Sequence, residues 1–135
     1  MKTIQLTEQI SLSSLHKLEN PDLTDLENER LYGICFRKHG HDYHIQVLLE
    51  ADIDDETGLA FDRLGLKILL EKNLFERFNG KFLNKEFDCT SGEALSLYFY
   101  KILKASIEGA FKGTRLLSVH IQETRKNWFS YTAAT

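Results

Sequence analysis

The chain has 135 residues, 42% of them hydrophobic, with 17 Lys and Arg against 20 Asp and Glu and a formal net charge of −3. That length and apolar content point to one domain, residues 1–135, with a real core. The mild acidity and the lack of a basic stripe argue against a nucleic-acid binder, and no apolar run approaches the roughly 20 residues that a membrane helix needs. Read in chain order, "MKTIQLTEQISLSSLHKL" has no continuous apolar centre, so it is not a signal peptide. Ile4, Leu6, Ile10, Leu12 and Ser14 instead alternate with polar residues, and His16 continues their face, which predicts a half-buried strand. The acidic "ENPDLTDLENER" holds the only proline and reads as a solvated loop. A second strand is expected from about His39 to Ala51. Tyr43, Ile45, Val47 and Leu49 share one face with His39 and His41, while Asp42, His44, Gln46 and Glu50 take the other.

Asp62 suits the N-cap of a helix through "RLGLKILLEKNLFERF", with Leu66, Leu69, Leu70 and Leu74 as its apolar stripe. A second helix is expected in "CTSGEALSLYFYKILKASIEGAF", where Thr90 and Glu93 have capping-box spacing and Leu95, Phe99, Ile102 and Leu103 face the core. In the strand "LLSVHIQET", Leu117, Val119 and Ile121 line one face and Glu123 ends it. A further strand belongs between Leu59 and Asp62 or near the C-terminus. The order is α+β, with an antiparallel sheet and helices on one side.

The stretch "LYGICFRKHGHDYHIQVLLEA" gathers Cys35, His39, His41 and His44. Residues i and i+2 of a strand point the same way, so His39 and His41 present two imidazoles to one point. His16, at the end of a neighbouring strand face, comes alongside if the two strands form a long hairpin. Three histidines and an open fourth position make a catalytic zinc pattern; closed structural sites use four protein ligands. The plain alternative is a polar turn leading into an ordinary strand. His44 and His120 point away from the faces of the zinc histidines and Glu123. The two cysteines, Cys35 and Cys89, suit reduced thiols in a cytoplasmic protein better than a disulfide framework. Cys89 reads as structural. Trp128, Phe129 and Tyr131 read as packing or interface aromatics.

With these residues placed, the sequence resembles the 6-pyruvoyltetrahydropterin synthase / 6-carboxytetrahydropterin synthase family. The resemblance runs from Leu12 to Tyr131 through "LSSLH", "CFRKHGHDY", "TGLAFD", "KFLN", "TS" and "ETRKNWFSY". It implies a tunnelling fold, a four-stranded antiparallel sheet with two helices on one face in the order β-β-α-α-β-β. It also implies homo-oligomers, commonly a hexamer of two trimers, with active sites at subunit interfaces. The implied cofactor is Zn²⁺ held by His16, His39 and His41, and the implied substrate is a dihydroneopterin triphosphate-type pterin. Cys35 matches the catalytic thiol, Glu123 the carboxylate that anchors the pterin ring, and Thr90 and Ser91 the hydroxyl residues near that ring. The spacing from Cys35 to His39 is more similar to the bacterial carboxy-pterin branch, which feeds deazaguanine (queuosine) synthesis.

Two departures from the family stand out. Its Asp-His pair before the "xxLN" segment is replaced by Asn79 and Gly80. Its PT[SA]E becomes "CTSGE", with Cys89 for the proline and Gly92 for the glutamate. The expected activity is a lyase of this family. The alternative is a zinc-bearing oligomeric pterin-binding protein that has lost the chemistry along with the dyad.

Overall fold

The computed structural model describes residues 2–134. Strand β1 (Thr3–His16) pairs antiparallel with β2 (His39–Asp52) along its whole length, from Thr3↔Asp52 to His16↔His39. Strands β3 (Arg115–Thr124) and β4 (Asn127–Thr132) complete one antiparallel sheet in the order β1-β2-β3-β4. The unsettled strand is therefore the C-terminal one, and residues 59–62 form no strand. The expected α+β sheet with its long helices on one face is what the chain adopts.

The connection between β1 and β2 differs from the expected loop. It contains helix α1 (Asp25–Tyr32) and a 3₁₀ turn, Gly33–Phe36. Thr24 caps α1 through a full capping box with Glu27, and Asp25 and Glu27 sit in its first turn, where the helix dipole favours acids. The acidic composition that read as solvated loop is in fact a helix start. Buried Asn28 ties the approach to this helix, accepting from the Asn20 N–H at 2.7 Å and donating to the carbonyls of Asn20, Leu23 and Thr24.

Helix α2 (Arg63–Leu70) starts at the expected cap, with the Asp62 carboxylate accepting from the Gly65 N–H. It continues through a π-helical turn, Glu71–Phe75, and a last α turn, Glu76–Phe78. Leu66, Leu70, Leu74 and Phe78 are buried along it. Helix α3 (Gly92–Ala110) buries Leu95, Phe99, Leu103 and Ile107 against the sheet. Its N-cap is Ser91, which accepts from the Ala94 N–H, and not Thr90 as the spacing with Glu93 suggested. The Thr90 hydroxyl instead donates to the carbonyl of Lys17 and to Asn84.

The sheet gives Leu12, Tyr43, Ile45, Val47, Leu49, Val119 and Ile121 to the same core. On β3 the register shifts opposite Leu48 and Leu49, so Leu116 takes the core position expected of Leu117. A bulge of this kind puts two residues opposite one and reverses the facing of the residues before it. The free edge of β1 is latched at its far end by the segment after α2. Gly80 N–H donates to the Ser13 carbonyl (2.6 Å), Leu15 N–H to the Lys81 carbonyl (2.9 Å), and Ser13 N–H to Asn79 Oδ1 (2.9 Å).

Candidate metal and ligand site

His16 and His39 face each other as the last registered pair of the β1–β2 ladder, and His41 follows two residues along β2. The ring centroids lie 4.5 Å (His16–His39), 5.0 Å (His16–His41) and 4.9 Å (His39–His41) apart. One nitrogen from each falls within 4.8 Å of the others, a spacing from which the three can hold a single metal ion. The long hairpin that the alternation implied brings this about, because a one-residue slip would send His16 or the H-x-H pair to the opposite face.

The surroundings of the rings fit a metal. Nδ1 of His16 lies 2.8 Å from the Thr90 carbonyl, and Nδ1 of His39 lies 2.6 Å from the Arg37 carbonyl. A carbonyl only accepts, so both Nδ1 atoms carry the proton and both Nε2 atoms carry the free lone pair. Metal-ligating histidines are oriented by such partners in this way. His16 is 1% exposed, and its Nε2 is buried with no partner among the described residues. A buried acceptor without a donor is costly, and a cation at the centre of the triad removes that cost. Burial, followed by the neighbouring imidazoles, outweighs the Thr90 contact and Glu123 and holds the His16 pKa below its ordinary 6.5. Burial also lowers His41, against the raising effect of Glu123. Neutral imidazole is the form that binds a metal.

The Glu123 carboxylate stands 3.8 Å from His41 Nε2 and is mostly buried. Of the two arginines near it in sequence, Arg115 pairs with Glu50 instead, and Arg125 borders the groove beside Glu123. Registered pairing of β2 with β3 begins at His44↔Gln122, so residues 39–43 run past it beside the end of β3. An open groove of about 490 Å³ lies there, bordered by Gly40, His41, Asp42, Gln122, Glu123 and Arg125.

Cys35 is half-buried and free, on the 3₁₀ turn. Its carbonyl accepts from the Leu18 N–H at 2.8 Å, which fastens the turn to the chain two residues beyond His16. Thr90 is buried, with its carbonyl on His16 and its hydroxyl engaged. Ser91 caps α3 beside it. Asn79 and Gly80 are part of the β1 latch, and Gly80 has φ +72°. A Cβ at Gly92 would overlap the Phe129 ring, so an aromatic fills the space above the first residue of α3.

Two residues here escaped the sequence reading. Asn84 clamps the chain next to His16: it accepts from the Lys17 N–H (2.9 Å), donates to the Lys17 carbonyl (2.8 Å) and accepts from Thr90 (3.2 Å). It stands in "KFLN", but spacing does not reveal the clamp, because Lys17 is 67 residues away. The alternation places Tyr43 on the face of His39 and His41 and assigns it no role. It is fully buried, its ring 5.6 Å from His41 and 6.1 Å from His16, and its hydroxyl has no partner among the described residues. Burial, and next the charge of Glu123, push its pKa upward, so the phenol stays protonated. The signal available was the choice of Tyr over Phe on a face that otherwise lacks polar groups between His41 and Ile45.

Comparison with known proteins agrees over the whole chain. The sequence model of the family described as 6-pyruvoyl tetrahydropterin synthase matches residues 5–134. A 6-pyruvoyl tetrahydrobiopterin synthase of Drosophila melanogaster is 31% identical over 133 residues, 93% of this chain and 77% of the relative. One from Dictyostelium discoideum is 27% identical over 96% of each chain. The solved structure of Caenorhabditis elegans 6-pyruvoyl tetrahydropterin synthase superposes with a TM-score of 0.88 at 27% identity, covering 99% of this chain and 98% of that one.

Proposed function

This chain belongs to the 6-pyruvoyl tetrahydropterin synthase family, and from that premise we propose that it is a zinc-dependent pterin synthase-like lyase acting on a dihydroneopterin triphosphate-type substrate. The observation that carries the reading is the convergence of His16, His39 and His41, with a carboxylate 3.8 Å from one of them. In this reading the three imidazoles hold Zn²⁺, which when bound polarises a substrate oxygen and stabilises developing negative charge. Glu123 accepts paired hydrogen bonds from the amino-pyrimidine edge of the pterin and fixes the ring. Ser91 and Thr90 border the ring, Thr90 from behind, since its hydroxyl is engaged. Cys35 moves the proton on the substrate side chain; a thiol near a cation ionises more readily.

A specific observation favours a second reading, a zinc-bearing pterin-binding protein with little or no turnover. At the dyad positions, Asn79 and Gly80 are committed to the β1 latch and offer neither carboxylate nor imidazole. One acid–base group is worth about 10²–10⁴-fold in rate. The decisive experiment incubates the zinc-loaded protein with dihydroneopterin triphosphate and follows its products. Turnover about 10²–10⁴-fold below that of a relative with the dyad fits a weakened lyase, binding without product fits the second reading, and no binding overturns both.

The proposal includes a cytoplasmic homo-oligomer, trimer-based or hexameric. Its support is the pair of sheet edges, β4 and the part of β1 ahead of the latch, which a small open sheet needs to cover. No helix of the described residues is long and apolar enough to cross a membrane. A stable monomer in sedimentation at micromolar concentration would contradict the assembly.

A further inference from the structure

Among the described residues, the Tyr43 hydroxyl is the one fully buried donor beside the triad that neither the fold nor the metal reading uses. Its residue is 0% exposed and its oxygen has no hydrogen-bond partner among the described residues. Buried polar groups are almost always paired, and an unpaired one carries a cost that a phenylalanine would avoid. Here a phenylalanine would fill the same volume, yet the chain carries tyrosine.

The neighbours of Tyr43 indicate what the hydroxyl is for. Along β2 it is two residues from His41, and on β1 it faces Leu12, an apolar residue with nothing to accept. On the other side the last registered pair is His44↔Gln122. The next residues, Tyr43 and Glu123, therefore flank each other on the inner face of the sheet, where opposed side chains are a few ångströms apart. The rings of His16 and His41 close the remaining side. Those two have their own commitments: Nδ1 of His16 is bonded to Thr90, and both rings are candidate metal ligands. Glu123 is the acceptor left over. Its carboxylate now leans towards His41 at 3.8 Å, longer than a hydrogen bond.

We propose that Tyr43 is a positioning residue for Glu123: its hydroxyl donates to one carboxylate oxygen when a pterin is bound, and so holds the carboxylate in the plane of the pterin's donor edge. This rests on the reading of Glu123 as the ring anchor. A carboxylate has acceptor capacity on both oxygens, so one bond to Tyr43 leaves room for two from the ligand. Metal binding works in the same direction. Once His41 gives its lone pair to a cation, the carboxylate is free to turn to the phenol. Tyr43 acts through Glu123 and does not touch the ligand, as its full burial requires.

The test is Tyr43→Phe, which removes the oxygen and nothing else, measured with Glu123→Gln and the double variant in the zinc-loaded protein. Neopterin is the probe, titrated by calorimetry, with thermal unfolding of the ligand-free protein alongside. Tyr43→Phe is expected to leave the melting temperature unchanged or higher, because the hydroxyl has no partner to lose. Neopterin affinity should fall roughly 3–10-fold, the worth of one hydrogen bond. In the Glu123→Gln background the same change should cost less than twofold, because the carboxylate it serves is gone. Wild-type affinity in Tyr43→Phe overturns the proposal, as does a full loss that persists in the Glu123→Gln background. A marked drop in melting temperature overturns it too, since the hydroxyl would then be bonded without ligand. If Glu123→Gln itself binds neopterin as the wild type does, the anchor reading fails and takes this proposal with it. If wild type fails to bind neopterin, the pterin reading of the whole site is wrong.

Discussion

The two faces of the sheet carry histidines in contrasting surroundings. On the inner face, His16 and His39 each place Nδ1 against a backbone carbonyl. On the outer face, Nδ1 of His44 meets the Ser11 hydroxyl at 2.7 Å, and Nδ1 of His120 meets the Ser130 hydroxyl at 2.6 Å. The distances are alike, and the chemistry differs. A carbonyl dictates the tautomer and so aims a lone pair from Nε2. A hydroxyl donates or accepts as required and dictates nothing. The inner rings also converge within 5.0 Å of one another, whereas the outer ones sit on different strands beside serines. Histidine content is therefore a poor guide to a metal site; the fixed tautomer and the shared focus distinguish the inner set.

Metal content breaks or confirms that comparison most directly. The purified protein is expected to carry about one zinc per chain, consistent with an open three-histidine site. His39→Ala should lower the affinity by more than the 10–100-fold that loss of a supporting contact typically costs. His44→Ala and His120→Ala should keep their zinc. Equal metal in His39→Ala and wild type would remove the distinction between the faces. The next largest effect concerns the carboxylate beside the triad. Glu123→Gln should weaken neopterin binding by roughly 1.5–3 kcal/mol, the worth of a charge-assisted contact. On the outer face and away from the groove, His120→Ala should change little. Calorimetry on both variants decides.

The pH dependence of the metal-free protein tests the burial of the inner rings. His16 and His41 have pKa values below their ordinary 6.5 in the fold, chiefly through burial. Between the depressed and ordinary values the unfolded chain binds more protons than the folded one. Stability then rises with pH. The contribution is full above pH 6.5 and is lost as the pH falls towards the lowered values. Urea unfolding of His16→Gln should show a flatter slope across this window than wild type. Parallel curves for the two would show that the buried imidazoles do not set the acid limb.

Much of this was legible in the sequence, and the limits have physical causes. The β1–β2 hairpin follows from two runs of strict alternation, and with it the shared face of His16, His39 and His41. Asp62 announced α2 because its cap is local, three residues from its partner. Helix α1 was missed because the same acidic residues suit a solvated loop and a helix N-terminus, and only the Thr24–Glu27 pair distinguishes them. Leu117 was given the place of Leu116 because a bulge changes the phase of the alternation without any mark in composition. Thr90 was read as a cap from its spacing to Glu93, but its hydroxyl is drawn to Lys17 and Asn84 by the fold. The roles of Asn84 and Tyr43 depend on partners distant in sequence, and periodicity carries no information about those.

The smallest effect comes from the latch that holds the His16 end of β1. Gly80 has φ +72°, a left-handed conformation that costs an L-residue about 1–2 kcal/mol. Space is no obstacle, for a Cβ there meets nothing within 4 Å. Gly80→Ala is thus a test of backbone strain alone. It should lower the unfolding free energy by about 1–2 kcal/mol, read from the urea midpoint at constant slope. The strain falls on the bonds that Gly80 N–H donates to Ser13 and Lys81 accepts from Leu15, and these lie just ahead of His16. Zinc affinity should therefore slip by a few-fold, well short of the loss in His39→Ala, while the Ser11–His44 pair, farther along β1 and on the outer face, is untouched. Asn79→Asp keeps an acceptor for the Ser13 N–H and should leave both readings near wild type. A histidine at position 80 carries the same backbone cost as alanine, so restoring the dyad here trades stability for a proton-transfer group. If Gly80→Ala is as stable as wild type, the left-handed turn is not held by the latch, and a side chain at this position is free to re-enter the site.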